Sequence, residues 1–198
     1  GADLLDHLGV SFGQSHIDLG KGADPVPAML ASAQRLSAAG ADIVGIPCMT
    51  AHNFLPRIKK TSGLRFVSAL ETMEETLRDS YPEVRSLGIL ATAGTKAARL
   101  YESALLRYAI LWPSEEDQKS LVMEAIYGKE GIKAGNRGEV PKALLKQAAL
   151  SLIRGGAQAI VAGCTEVPLA LSQSDIDVPL LDPMQMLAAA LVREARNA

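Results

Sequence analysis

Two short apolar runs, each followed by one of the chain's two cysteines, most constrain the fold. The run from Ile43 to Ile46 predicts a buried strand that ends at Pro47, and Cys48 comes next. The run Ala159–Ala162 predicts a second buried strand, after which Gly163 and Cys164 follow. Each cysteine is thus expected at the carboxyl end of a strand and at the start of a helix. This shared placement favours two halves of one site.

Strand and helix patterns alternate along the rest of the chain. Strands are expected over 41–47, 65–67, 87–91, 110–112, 158–162 and 178–181. Helices are expected over 26–39, 50–60, 71–80, 96–108, 113–128, 139–154, 164–173 and from 183 to the end. This alternation predicts an α/β fold of parallel sheets with crossover helices. The segments leading into the two cysteines resemble each other, since each has a helix, Gly-Ala and an apolar strand. They predict two similar units that face each other.

Composition excludes several classes of protein. With 198 residues, 48% of them hydrophobic, the chain can bury a sizeable core. A net charge of −2 gives no basic surface for nucleic acid. We expect no membrane span, because no apolar run approaches the roughly 20 residues that one needs. No signal peptide is evident, and two cysteines suit a reducing cytosol, so a cytoplasmic location is expected. His7 and His16 are interpreted as surface histidines.

Small polar residues lie in three predicted strand-exit loops, at positions 48–52, 92–95 and 164–166. In open α/β sheets, ligands bind beyond the carboxyl ends of the strands. Backbone N–H groups at helix starts, together with threonine hydroxyls, favour an anion. A carboxylate is the expected ligand, because the sequence has no Walker-type phosphate loop. Nothing in the sequence matches a cofactor fingerprint or a metal site.

The two thiols could carry chemistry in such a cleft. A helix N-terminus lowers a cysteine pKa from about 8.5 into a range of roughly 3.5–7.5. Two thiols in one cleft would titrate together, which favours one thiolate beside one thiol. Such a pair could take a proton from one face of a carbon and return one to the other face. The alternative is that both cysteines are small buried hydrophobic residues.

The two cysteine motifs resemble those of the aspartate/glutamate racemase family of cofactor-independent amino-acid racemases. Family members carry Pro-Cys-Asn-Thr-x-His in the first half and Gly-Cys-Thr-Glu in the second. The matching segments here are Pro47-Cys48-Met49-Thr50-Ala51-His52 and Gly163-Cys164-Thr165-Glu166. The cysteines lie 164 − 48 = 116 residues apart, a separation similar to that in the family. The resemblance extends from about residue 26 to the end.

The resemblance implies two pseudo-symmetric α/β domains with the active site between them. Residues 1–84 and 183–198 would form the domain with Cys48, and residues 85–182 the domain with Cys164. The two cysteines would be the catalytic acid/bases, and no cofactor would be needed. A small carboxylate is the expected substrate, and a homodimer is the expected assembly. The substrate-binding residues implied are Met49, Thr50, Thr92, Thr95, Lys133, Thr165 and Glu166.

Three features depart from the family pattern. Met49 replaces the usual asparagine, so a hydrogen bond to the substrate is lost and the pocket is less polar. The family's opening strand with its glycine-rich loop is not found. The Pro-Asp-Arg loop, whose arginine pairs with the substrate side chain, is not found between Val10 and Pro25. These departures leave the fold expectation intact but weaken the expectation about the substrate.

Several alternatives remain open at this stage. A relative of the maleate isomerase, hydantoin racemase or arylmalonate decarboxylase type would keep the fold and use the cysteines differently. A non-catalytic carboxylate-binding protein and a redox dithiol are further alternatives. Lys133 could hold a substrate carboxylate or be an exposed loop residue. His52 could be a charge partner of a thiolate or could cap and pack. Glu166 could orient Cys164, contact a substrate ammonium group or favour a helix dipole.

Overall fold

The strands form two parallel sheets in the computed structural model, which describes residues 24–197. In the first sheet, β1 (Ile43–Gly45) pairs with β2 (Arg65–Val67), with Val44 opposite Phe66. The second sheet has the order β4-β3-β5-β6. Its strands are β3 (Ser86–Leu90), β4 (Ala109–Leu111), β5 (Ala159–Ala162) and β6 (Leu180–Leu181). The predicted α/β class with parallel sheets is therefore confirmed.

Helices connect the strands and cover the sheets. The first unit contains α1 (Val26–Ala38), the 3₁₀-helix Thr50–Phe54, α2 (Leu55–Ser62) and α3 (Ala69–Ser80). Next come α4 (Ala93–Ala97), α5 (Leu100–Ala104), α6 (Glu115–Asp117), the π-helix Gln118–Met123 and α7 (Glu124–Tyr127). The remaining helices are 3₁₀-helix Ile132–Ala134, α8 (Glu139–Arg154), 3₁₀-helices Val167–Leu169 and Gln173–Asp175, and α9 (Pro183–Arg196).

The two central strands of the second sheet are buried on both faces. All four residues of β5 are buried, and β3 is buried from Leu87 onward. Ile160 packs in one core with Leu145 of α8, whereas Val161 packs in another with Leu77 of α3. A parallel strand covered on both sides needs apolar residues at successive positions, which explains the unbroken apolar runs in the sequence.

The last helix returns to the first sheet. Asp182 caps its start by accepting hydrogen bonds from the backbone N–H groups of Met184 and Gln185. Further along, Leu187 and Leu191 lie so close to Gly45 that a side chain there would contact them. The core is continuous between the units, because α3 packs against the second sheet. The proposed domain boundary near residue 84 therefore remains a prediction.

The helix expected from Thr50 starts as a 3₁₀-helix and restarts as α2 with Pro56 in its first turn, as a proline inside a helix is expected to cause. Other expected helices differ from the structure. The helix expected over 96–108 is divided into α4 and α5 at Arg99, whose φ is 51°. The helix expected over 164–173 is wrong, since only the short 3₁₀-helix Val167–Leu169 lies there.

Other predictions concern positions that are not described. His7, His16 and the start of the segment searched for the arginine loop lie outside residues 24–197. Among the helices of the described part, none is long and apolar enough to cross a membrane.

Candidate active site at the strand exits

The loops after β3 and β5 form one edge of the site. The two strands are parallel neighbours, with Leu90 opposite Ala162. The pairing continues one residue further, since the Gly163 N–H donates to the Leu90 carbonyl at 2.8 Å. The Thr92–Thr95 loop and the Cys164 loop therefore leave the sheet side by side, as the rule for open α/β sheets predicts.

A chain of threonine hydroxyls joins the Cys48 loop to this edge. Thr50 Oγ1 lies 2.9 Å from Thr95 Oγ1, which lies 3.2 Å from Thr92 Oγ1. Thr92 also caps α4, because its hydroxyl accepts from the Thr95 N–H. Thr50 is the first residue of its 3₁₀-helix, and its hydroxyl bonds across to the second unit. The three exit loops thus meet, and the hydroxyls of Thr92 and Thr95 are buried at this meeting point.

Glu166 organises the Cys164 side of the site. The Cys164 thiol donates to Glu166 Oε2 at 2.8 Å, and the Thr165 hydroxyl donates to the same oxygen at 3.0 Å. Lys133 Nζ lies 2.8 Å from Glu166 Oε1 and 5.5 Å from the centre of the Tyr127 ring. The Lys133 side chain is 32% exposed and that of Glu166 is 14% exposed. The lysine is therefore an ion-paired neighbour of the motif.

The environment of Cys164 favours the protonated thiol. Burial raises the pKa of Cys164 well above its ordinary value, and the charge of Glu166 raises it further. Burial also acts to raise the pKa of Glu166, but hydrogen bonds from Cys164 and Lys133 outweigh it and lower that pKa overall. The sequence predicted a depressed pKa for a cysteine at a helix start. For Cys164 this was wrong, because no α-helix follows it and a carboxylate faces its sulfur.

Cys48 has a different environment. Its side chain is partly exposed, whereas Cys164 is buried. Its backbone carbonyl lies 2.9 Å from Nδ1 of His52. A charge on Cys48 is among the smaller causes that raise the pKa of Cys164.

His52 packs beneath the Cys48 loop. It is 3% exposed, and its Nε2 accepts a hydrogen bond from the Ala69 N–H at 3.1 Å. Burial lowers the pKa of His52, which favours the neutral imidazole. Of the two roles considered for this residue, the structure supports packing and hydrogen bonding by a neutral imidazole.

Met49 lies in the hydrophobic core. It is 3% exposed and packs in the same cluster as Met73 and Leu187. The resemblance implied that this position contacts the substrate. The structure instead gives its side chain a packing role, in keeping with the replacement of asparagine by an apolar residue.

Two supporting residues were missed by the sequence analysis. Tyr101 is fully buried, and its hydroxyl donates to the Gly163 carbonyl at 3.4 Å. Gln118 starts the π-helix and donates to the Ala91 carbonyl at 2.9 Å, next to Thr92. A π-helix within a longer helix often marks a functional site. Neither residue belongs to a motif, so only the tertiary structure identifies them.

The described residues contain no group of three or more His, Cys, Asp or Glu side chains that could hold a metal ion. The structure is that of an α/β protein whose two cysteines follow parallel strands. Residues 9–191 match the family described as Asp/Glu/Hydantoin racemase. The chain belongs to this family.

Comparison with individual proteins agrees with this assignment. The chain is 39% identical over 90 residues to an uncharacterised protein from the pnlA 3′ region of Pectobacterium carotovorum subsp. carotovorum, covering 44% of this chain and 56% of that protein. It is 24% identical over 165 residues to the broad specificity amino-acid racemase RacX of Bacillus subtilis (strain 168), covering 83% and 70%. The chain thus covers little more than half of the Pectobacterium protein.

The fold resembles solved structures. The aspartate racemase of Picrophilus torridus superposes with a TM-score of 0.75 and 19% identity, covering 93% of this chain and 75% of that chain. At this level of identity, the likeness concerns the fold.

Proposed function

We propose that this protein is a racemase of an acidic amino acid, aspartate or glutamate, that acts without pyridoxal phosphate. The observation that carries the proposal is the convergence of the Cys48 loop and the Cys164 loop around polar groups, with the Cys164 thiol 2.8 Å from Glu166. Family membership supports amino-acid racemisation. RacX, a relative over most of the chain, is named a racemase of broad specificity.

The mechanism uses one sulfur on each face of the α-carbon. In one direction, the Cys48 thiolate takes the α-proton and the Cys164 thiol gives its proton to the opposite face. In the other direction, the roles are reversed, so Cys48 must first take up a proton from solvent and Cys164 must first lose its proton. Glu166 is placed to accept that proton, because it already accepts the thiol hydrogen bond. The α-carboxylate is bound among the hydroxyls of Thr50, Thr92, Thr95 and Thr165.

The thiol assignment is tested by replacing each cysteine separately with serine. The serine hydroxyl keeps nearly the same shape, but it does not ionise at working pH. Each variant should lose racemisation by about 10²–10⁴-fold, the usual range for acid–base catalysis. Because the two enantiomers have equal free energy, kcat/KM must fall by the same factor in both directions.

The sharpest readout is loss of the α-proton in heavy water. Each variant should still exchange the α-proton of the enantiomer for which the surviving thiol is the base, without inverting it. The double variant C48S/C164S is the control and should exchange neither enantiomer. A single variant that racemises as fast as the parent would overturn the two-thiol mechanism. A parent that exchanges no α-proton in acidic or neutral amino acids would favour a non-catalytic binding protein.

Lys133 supports an acidic substrate. Its ammonium group pairs with a carboxylate in the ligand-free protein, and its partly exposed side chain could turn to a carboxylate on a ligand. Losing a hydrogen bond to a charged group costs about 1.5–3 kcal/mol, so K133M should raise KM for aspartate or glutamate roughly 10- to 100-fold. KM for a neutral amino acid should change little.

Lys129 offers a matched control for this test. It lies four residues earlier and is exposed. K129M should leave both KM values close to those of the parent. If K133M changes KM equally for acidic and neutral substrates, Lys133 does not recognise the side chain, whereas the racemase assignment itself would stand.

A further inference from the structure

Both ring nitrogens of His52 are engaged in hydrogen bonds, and the bonds go to two different elements. Nδ1 lies 2.9 Å from the Cys48 carbonyl oxygen. Nε2 lies 3.1 Å from the backbone nitrogen of Ala69, the first residue of α3. His52 is only 3% exposed, so water does not compete freely for either bond.

These partners determine which nitrogen carries the proton. A backbone N–H can only donate, so Nε2 must present a lone pair to Ala69. A carbonyl oxygen can only accept, so Nδ1 must carry the hydrogen that is donated to Cys48. The imidazole is therefore neutral with its proton on Nδ1, and the lowered pKa of His52, caused mainly by burial, agrees with this tautomer.

Helix α3, whose first residue donates to His52, is held firmly in the structure. Helix α3 is capped by Ser68, which accepts from the Glu71 N–H, and its residues Ala69, Met73 and Leu77 are fully buried. The Cys48 loop has little regular structure of its own, because β1 ends at Gly45 and the 3₁₀-helix starts at Thr50. The two hydrogen bonds of His52 therefore hold the backbone of Cys48 in a fixed position relative to α3.

We propose that His52 is the positioning residue for Cys48: it fixes the Cys48 peptide relative to α3 and so sets where the sulfur lies in the site. The inference rests on the proposed function, in which Cys48 is one of two acid/bases. His52 does not contact the substrate or transfer a proton. Its role parallels the orientation of a reactive side chain by a neighbouring hydrogen bond, as in catalytic triads.

Two substitutions separate the two hydrogen bonds. The amide of asparagine ends near the position of Nδ1, so H52N can still donate to the Cys48 carbonyl. The longer glutamine reaches the position of Nε2, so H52Q can still accept from the Ala69 N–H. H52N thus keeps the contact to the cysteine, H52Q keeps the contact to α3, and H52A removes both.

The first readout is the rate at which iodoacetamide alkylates Cys48, measured in a C164S background so that only one thiol can react. This readout does not require racemase activity. H52Q and H52A should change the rate and its pH profile most, whereas H52N, which keeps the direct bond to Cys48 but loses the bond to α3, should change them distinctly less. The second readout is kcat in the parent background, where H52Q should lose roughly 10- to 100-fold, as expected for a misplaced reacting group, and H52N distinctly less.

Thermal unfolding separates positioning from stability alone. Under the proposal, loss of activity follows loss of the Cys48 contact and not the melting temperature. The proposal is overturned if H52N and H52Q lose activity in proportion to their stability, or if both leave Cys48 reactivity and kcat unchanged. If the parent shows no racemisation but H52Q alters Cys48 alkylation more than H52N does, the proposed function fails while the positioning role stands.

Discussion

The two cysteine loops are similar in sequence but are held in different ways. The Cys48 loop is held by its backbone, through the bond between the Cys48 carbonyl and His52, and its side chain is partly exposed. In the Cys164 loop the sulfur itself is held, because the buried thiol donates to Glu166. Lys133 and Thr165 bond to the same carboxylate and fix it in place.

This difference shows that a repeated motif need not give two equivalent groups. Cys164 has a buried environment and a nearby carboxylate, which both favour its protonated form. Cys48 has no corresponding carboxylate in its motif, since Thr50 occupies the place two residues after it, and the nearby His52 is neutral. We infer that in the ligand-free protein Cys164 is the protonated thiol of the pair and that Cys48, the more exposed sulfur, is the first to react as a nucleophile.

Among the substitutions that test this difference between the two cysteines, E166Q is expected to have the largest effect. Glutamine keeps the shape, but it removes the charge and the proton acceptor facing Cys164. We expect kcat to fall by about 10²-fold, the lower end of the range for acid–base groups. Steady-state kinetics with each enantiomer measures this loss.

Glu130 provides a control for this substitution, because it is exposed in the same loop region as Lys133. E130Q should retain the parental kcat. An E166Q protein as active as the parent would show that Cys164 loses its proton by another route and that the carboxylate has only a structural role.

Smaller effects are expected from substituting alanine for Gly163 and for Gly45, which lie shortly before Cys164 and Cys48. A Cβ at Gly163 would lie 2.8 Å from the Tyr101 hydroxyl and 2.9 Å from the Ala91 Cβ, both in the fully buried core. G163A should therefore lower the free energy of unfolding by about 1–3 kcal/mol, the usual cost of overpacking. Urea denaturation measures this change.

G45A is the corresponding substitution at the end of β1, just before the Cys48 loop. A Cβ there would meet the side-chain ends of Leu191 and Leu187, at 2.8 Å and 3.3 Å. Such side chains can move more easily than a buried tyrosine ring, so G45A should cost less than G163A. If G45A proves equally or more destabilising, the Cys48 loop is packed as rigidly as the Cys164 loop, and the contrast between them is wrong.

Much of the fold could be predicted from the sequence, because a buried parallel strand needs a continuous apolar run. The runs ending near Ile46 and at Ala162 both predicted strands that the structure confirms. Helix α8 was predicted with its observed bounds, since it ends before Gly155 and Gly156, and Gly156 has a φ of 98°. The meeting of the three exit loops followed from the general rule for parallel sheets.

The missed features depend on contacts that no local pattern records. The helix expected after Cys164 was inferred from the motif's position, but only a 3₁₀-helix follows, with Pro168 within it. The pKa of Cys164 is raised mainly by burial, and further because a carboxylate two residues later turns back to the sulfur. Lys133 and Glu166 pair across 33 residues of sequence, and nothing in either segment predicts that partner.

The most direct test of whether Cys48 and Cys164 differ in reactivity is the alkylation of each cysteine as a function of pH. The ligand-free protein is treated with iodoacetamide, and the Cys48 and Cys164 peptides are quantified separately by mass spectrometry. The account predicts that Cys48 reacts first and at lower pH, and that Cys164 reacts only as the pH is raised. Cys164 reacting before Cys48, or at the same pH, would contradict it.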